Sequence, residues 1–300
     1  MPSHPLLVAA LAGGLSVSGL ILALRWRRFE QFLRSEEARV AQIAGQSPAP
    51  SERAAELAEL MAALPAPVRR FFERSLGEEY AQFRMWVARG SGGLRFDGGD
   101  GWKDLASTTH GAVGAPALCY TGSLSLGLGG LLWCRGREAL LDGRGAMAWR
   151  LWGALTLACH EGGRLDQSAL LRWLAEAVCY PPALLPSAHL RWLPSESDPE
   201  HSAEAVVTCR GSTARATLTF DGEGRFVELL SGDYWRVMPD GGMARTQWRA
   251  RGSRHRRFGL GGGGAAAGVE IPTYLEAAWL EPDGSEYTHI RFNVTELRGV

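Results

Sequence analysis

The sequence predicts an α+β protein. It expects a large curved antiparallel sheet, a half-barrel-like meander with a central helix packed on it, preceded by an N-terminal transmembrane helix and a helical stalk. Three observations lead there. From Gln82 onward, short runs of alternating apolar and polar residues are separated by glycine-rich turns, which fits a meander and not a βαβ series. One stretch, Gly162 to Trp192, breaks that rhythm with apolar residues at helical spacing. The first 77 residues carry no strand pattern and open on a long apolar run. The expected division is residues 1–28 as anchor, 29–77 as stalk and 78–300 as the β-rich domain.

Leu6 to Leu24 (LLVAALAGGLSVSGLILAL) is apolar or small throughout. At about 1.5 Å per residue it is just long enough to cross a hydrocarbon core of about 30 Å. No basic residue precedes it, and Arg25-Trp-Arg-Arg follows it, so a retained single-pass anchor is expected over a cleaved signal. Arg25, Arg27, Arg28 and Arg34 place the C-terminal domain on the cytoplasmic side by the positive-inside rule, with Trp26 at the interface. Phe29 to Ile43 continues as a charged amphipathic helix, with Phe29, Phe32, Leu33, Val40 and Ile43 apolar. A short Ser-Pro-Ala-Pro linker leads to an Ala/Glu/Leu-rich helix over Ser51 to Ala63. A third helix starts at Pro67, where proline suits the first turn, and ends at Gly77.

In the β region, Phe83, Met85 and Val87 alternate with Arg84 and Trp86, Gly90, Gly92 and Gly93 predict a turn, and Leu94 and Phe96 resume the alternation. Further strands are expected at 117–120, 131–134, 146–152, 155–160, 190–193, 205–209, 214–220, 226–230, 244–251, 275–280 and 287–294. Asp142-Gly, Asp221-Gly, Asp240-Gly and Asp283-Gly between alternating runs are strong hairpin signals. In the central helix, Asp166 suits an N-cap, and Leu170, Leu171, Leu174, Ala175 and Val178 form one apolar stripe. Arg172 and Glu176, four apart, are expected on its solvated face. Pro181 and Pro182 stop the helix, since neither has an amide to donate.

Composition excludes more chemistry than it suggests. The formal net charge is zero, so no nucleic-acid partner is expected. Lys103 is the single lysine and lacks a P-loop's glycine context. The five cysteines are widely spaced without a C-x-x-C, and no H-E-x-x-H or H-x-H occurs, so neither a metal nor a cofactor is expected. Thr121-Gly-Ser-Leu-Ser-Leu-Gly127 misses the G-x-S-x-G pattern of a serine nucleophile. Gly143-Arg-Gly145-Ala-Met-Ala148 sits in a hairpin with no following helix, so it is a turn and not a nucleotide fingerprint. Asp104, Glu138, Asp142, Glu161, Glu176 and Asp233 are carboxylates that an acid–base pair would draw on, and spacing selects no two of them. Arg245 to Phe258 is the single charge cluster. Its arginines suit either a solvated strand edge or contact with anionic lipid through Arg249, Arg251, Arg254, Arg256 and Arg257.

Two blocks resemble a known family. Leu64-Pro-Ala-Pro-Val-Arg-Arg-Phe-Phe-Glu-Arg-Ser-Leu-Gly77 is one. The more specific is Leu170-Leu-Arg-Trp-Leu-Ala-Glu-Ala-Val-Cys-Tyr-Pro-Pro-Ala-Leu-Leu-Pro186, followed by Leu190-Arg-Trp192. With weaker echoes at Leu141 to Gly145, Phe220 to Gly224, Ile271-Pro272 and Ala278-Trp279, the chain is similar to the DUF6544/DUF6920 group, mostly bacterial proteins of unknown function. The resemblance implies no catalytic residues. Cys179 stands where that group more commonly has an aromatic, and Gly261 to Ala267 replaces a less repetitive segment. The layout itself is similar to the open half-barrels of lipoprotein carriers, an analogy of fold.

The function expected first is binding of an apolar ligand, a lipid or acyl chain, on the curved sheet, with Trp173, Tyr180, Trp192, Trp149 and Trp133 as its wall. Two other readings stand beside it. One is a hydrolase or transferase acting on a membrane-associated substrate, with Glu176 and His189 or His160 as acid and base. The other is a structural or interaction role carried by the Phe29–Ile43 helix.

Overall fold

The computed structural model describes residues 4–48, 50–96, 101–238, 240–261 and 264–300 and, at 4–16, 53–54, 79 and 265–266, the backbone alone. Helix α1 (His4–Gln46) is followed by α2 (Ala54–Ala62) and α3 (Ala66–Ser75). Six strands come next: β1 (Met85–Leu94), β2 (Lys103–Ala112), β3 (Leu118–Gly127), β4 (Leu132–Leu141), β5 (Arg144–Leu151) and β6 (Leu155–Glu161). After α4 (Arg164–Ala177) there are seven more: β7 (Leu190–Pro194), β8 (Ser202–Cys209), β9 (Ser212–Phe220), β10 (Phe226–Val237), β11 (Met243–Phe258), β12 (Val269–Leu280) and β13 (Glu286–Gly299).

All thirteen strands form one antiparallel sheet in the order β6-β5-β4-β3-β2-β1-β13-β12-β11-β10-β9-β8-β7. Two meanders therefore meet at the centre, where Trp86 of β1 faces Gly299 and Leu94 faces Ile290 of β13. Strands β6 and β7, neighbours in the chain, are the two outer edges. The chain between them, α4 and its proline corner, has to cross the sheet. It does so on the concave face, touching β4 to β6 on one side and β8 to β10 on the other. This is the curved, half-barrel-like sheet with a central helix that the sequence predicts.

Four local expectations are corrected. Gly90 and Gly92 make no turn but lie inside β1. A Cβ there would come within 2.0 and 1.8 Å of the backbone oxygens of Asn293 and Arg291, so glycine is required by close approach of β13. Strand β2 has no counterpart in the sequence reading, because its inward positions after Leu105 are Ser107, Thr109 and Gly111, which give no apolar alternation. Asp166 is not the N-cap, a place taken by Gly163 at φ 59°. Its carboxylate instead accepts from the amide of Gly145 at 2.7 Å, pinning α4 to β5. Finally, β11 is no edge, since it lies between β10 and β12.

Residues 29–77 do not stand off from the sheet. Side chains alternate along β3, so Leu118 and Tyr120 face α4 while Cys119 faces the convex side. There Val40 and Ala44 of α1 pack on Ala112, Ala117 and Cys119. Helix α3 joins the main core, with the Phe71 ring tilted against that of Phe220 at 5.1 Å between centres. Among the described residues no helix contains a segment long and apolar enough to cross a membrane. The side chains of residues 4–16, the first half of the expected anchor, lie outside the described ones. So do residues 262 and 263 of the glycine-rich segment read as a loop.

Candidate functional site: a cavity between the central helix and the sheet

Helix α4 is held across the sheet by polar side chains at its start. Ser168 Oγ accepts from the amide of Trp235 at 2.8 Å and donates to its carbonyl at 3.1 Å, and Gln167 Oε1 accepts from the Trp235 indole at 2.9 Å. Nine of the helix's fourteen residues are buried. Arg172 and Glu176, expected on the solvated face, point instead into the space between helix and sheet. Arg172 Nε donates to Glu176 Oε1 at 2.9 Å and pairs with Glu138 of β4, and its guanidinium lies 4.5 Å from the centre of the Tyr120 ring. Thr109 of β2 donates to the other Glu176 oxygen at 2.7 Å. Of the six carboxylates that spacing left unresolved, the fold selects Glu138 and Glu176 and sets one arginine between them.

Thr109, Tyr120, Arg172 and Glu176 form the polar end of a cavity of about 110 Å³, with Glu138 behind Arg172. The remaining wall is mostly apolar, with Trp86 and Ala88 of β1, Trp248 and Ala250 of β11, Ala277 of β12, and Ile290, Phe292 and Val294 of β13, and Glu276 of β12 also lines it. A second cavity of about 220 Å³ shares Tyr120, Arg172, Tyr234, His289 and Ile290, so these five side chains stand between the two.

Electrostatically the polar end is closed to further protons. His289 is stacked 4.6 Å from Trp279 and accepts from the Trp248 indole at 3.3 Å, the arrangement of a neutral imidazole. Burial, with Arg172, Arg236 and Arg95 nearby, holds its pKa down to about 3. Burial likewise pushes Tyr120 up to about 12 and raises Tyr234 and Cys179.

The predicted wall residues separate into three places. Trp173, Tyr180 and Trp192 are core: Trp173 is buried under α4, Tyr180 stacks 6.1 Å from Trp86, and the Trp192 indole donates to the Leu184 carbonyl at 3.0 Å. Trp149 does line the second cavity, lying over Gly122 and Gly136. Trp133 lines a separate groove with Ser91 and Asn293. The tryptophans of the first cavity are Trp86 and Trp248, and Trp235 and Trp279 join Trp149 in the second. His160 lies on edge strand β6, and His189 precedes β7 with its ring bonded to the Thr208 carbonyl at 3.1 Å. Neither lines the cavity that Glu176 lines. The histidine that does is His289, which the sequence does not single out. It sits at a register shift, where Ala277 faces Ile290 and Ala278 faces Thr288, so alternation alone assigns it to the wrong face.

The arginines of β11 are paired. Arg249 reaches Glu228 at 3.0 Å and Glu286 at 2.8 Å, and Arg251 reaches Glu228 at 3.2 Å and Glu286 at 2.8 Å. Arg254 and Arg256 lie over the rings of Tyr274 and Phe258, and Arg257 donates to backbone carbonyls of Gly268 and Arg74. Among the described residues no three histidines, cysteines or carboxylates are grouped to hold a metal ion.

Fold and site define an α+β protein whose curved antiparallel sheet closes an apolar cavity beneath a crossing helix. The chain belongs to a family of unknown function, DUF6544, which it matches over residues 54–292. No curated protein matches it. Among solved structures it is similar to a domain described as an outer membrane lipoprotein-sorting protein domain from Vibrio parahaemolyticus, with 9% identity, 74% of this chain and 92% of that one covered, and a TM-score of 0.38. It is also similar to a DUF1329 family protein from Desulfovibrio piger, with 9% identity, 79% and 93% coverage and a TM-score of 0.27. Likenesses this distant carry no argument about function.

Proposed function

We propose that this protein is held at a membrane by the segment before Phe29 and binds an apolar ligand, a lipid or acyl chain, in the concave cavity. The observation that carries the reading is the cavity itself. It holds about 110 Å³, room for a narrow chain, and its wall is mostly aromatic and aliphatic with polar groups gathered at one end. Glu176 and Glu276 in the wall, with Glu138 behind Arg172, suit a neutral, hydrogen-bonding group on the ligand better than a free carboxylate, which they would repel. Thr109, Glu176 and Arg172 then orient the ligand, and Trp86, Trp248 and Phe292 surround its chain. The anchor reading is supported by the apolar run Leu6 to Leu24, and the arginines after it favour a domain on the cytoplasmic side.

Titration of the full chain with a fluorescent acyl alcohol tests the site. Saturable binding that falls at least tenfold in Ala277→Phe, which fills the apolar end, is the expected result. Absence of saturable binding, or equal binding by both proteins, removes the cavity from consideration.

A further inference from the structure

The end of the sheet where α1 departs is apolar, exposed and basic. Helix α1 is buried at Phe29, but between residues 17 and 28 it is almost wholly exposed, so it leaves the body at that point. Three features converge on the departure. Trp26, 45% exposed, lies against the turn between β5 and β6, where a Cβ on Gly153 would come within 2.6 Å of its ring. The indole of Trp152 in that turn donates to the Leu131 carbonyl at 2.8 Å, which joins the β3–β4 loop to the same cluster. That loop carries the two most exposed large apolar residues described, Leu128 at 70% and Leu131 at 74%, and Leu155 and Leu157 of β6 continue the patch.

The loop is built to present its leucines. Gly127, Gly129 and Gly130 have positive φ, and Leu128 itself sits at φ 52°, a region where a side chain is disfavoured. A leucine held there and turned out to solvent gains nothing from this protein's own core. Exposed apolar patches of this kind mark interaction surfaces. Arg25, Arg27 and Arg28 are exposed beside it, and no acidic residue lies between Val17 and Arg28. Apolar tips ringed by arginine and tryptophan match the interface of a bilayer that carries anionic lipid.

We infer that this end of the sheet is a membrane-docking rim: Leu128, Leu131, Leu155 and Trp26 enter the headgroup region, and Arg25, Arg27 and Arg28 contact anionic lipid. The rim fixes how the domain stands on the bilayer, with β4 and β5 rising from it. It does not depend on a ligand in the cavity.

The test uses the full chain with vesicles of phosphatidylcholine, with or without phosphatidylglycerol, that contain a lipid quencher placed just below the headgroups. An environment-sensitive dye is attached at Leu131→Cys or, as control, at Glu161→Cys at the other end of β6, each in a Cys159→Ser background because the other four cysteines are buried. Several-fold stronger quenching at 131 than at 161, reduced by Leu128→Ser with Leu155→Ser and by omission of the anionic lipid, is expected. Equal quenching at both positions overturns the inference, and so does a dye at 131 already shielded in a dimer without vesicles, which would assign the patch to a second copy. Flotation separates this result from the anchor reading. A chain that floats while position 131 stays unquenched keeps the anchor and loses the rim. A chain whose flotation requires both anionic lipid and the leucines keeps the rim and loses the span.

Discussion

Helix α4 on the concave face buries nine of its fourteen residues, and the charges it carries inward are neutralised within the core. Helix α1 on the convex face buries a single narrow stripe, Phe29, Leu33, Val40 and Ala44, and is otherwise held by charge. Its Glu30 pairs with Arg135 and its Glu36 with Arg137, both at 3.1 Å, while Arg39 grips Asp142 through two bonds of 2.9 and 2.7 Å. Arg150 lies over the Phe29 ring at 4.3 Å. Apolar burial scales with area, whereas partly exposed ion pairs such as Arg39–Asp142 contribute little and the nearly buried Glu36–Arg137 pair offsets much of its attraction by desolvation. The contrast teaches that α4 belongs to the folding unit and α1 is a strap fastened to its outside.

Core deletions break this comparison most strongly. Trp173→Ala should lower global stability by about 3–5 kcal/mol, as large aromatic deletions in cores do, and shift the urea midpoint of the whole domain. Phe29→Ala removes a side chain no less buried, but should act locally: amide exchange speeds up along 29–46 while the sheet stays protected. If both variants lower protection everywhere alike, the strap description fails.

Arg172→Met comes next. It leaves Glu138 and Glu176 facing each other without their cation, and stranding buried charge typically costs about 3–5 kcal/mol. Adding Glu176→Gln should restore part of that loss in urea unfolding. A loss equal in the single and double variants would mean that Arg172 acts through packing alone.

The two faces should also respond to pH with opposite signs. His289 titrates near 3 when folded, against an ordinary value of 6.5, so its contribution is complete above 6.5 and is lost as pH falls toward 3. Glu36 is raised by burial from 4.5 to about 6, with Arg137 opposing the shift. Its contribution is complete below 4.5 and is lost as pH rises through 6. Each has a limiting slope of about 1.4 kcal/mol per pH unit. His289→Gln should flatten the acid side of global unfolding. Glu36→Gln should remove the loosening of α1 between pH 4.5 and 6, read by exchange at residues 29–46.

How much of this is legible in the sequence follows from what each feature depends on. The sheet, its hairpins and the crossing helix are local in origin, carried by alternation, Asp-Gly pairs and the Asp166–Pro182 pattern, and they are found. Strand β2 is not, because its inward side chains are small or hydroxylated. The cavity depends on register. Glu176 is singled out by its helix position, but its turn toward the sheet follows from α4 having to cross between opposite edges. Glu138 becomes its partner only once β4 lies under α4. His289 is hidden by a bulge, and the tryptophans of α4 and the proline corner, conspicuous in the sequence, serve the core.

The smallest effect is expected on β11. Arg249 and Arg251 share Glu228 and Glu286, and Arg251 also lies 3.7 Å from Glu276, so this patch holds two arginines against three glutamates. Partly exposed networks of this kind contribute about 1 kcal/mol or less per pair and weaken with salt. Arg249→Gln should therefore change stability by no more than that, and by less at high ionic strength. The same compensation bears on lipid contact, because a patch already neutralised by its own carboxylates attracts anionic headgroups weakly. Arg25, Arg27 and Arg28 lie on a stretch of α1 where no acidic residue occurs before Glu30. In vesicle binding by the full chain, Arg249→Gln with Arg251→Gln should reduce binding less than glutamine at 25, 27 and 28. The reverse order would move the membrane contact from the departing helix to the convex sheet, and with it the orientation of the cavity.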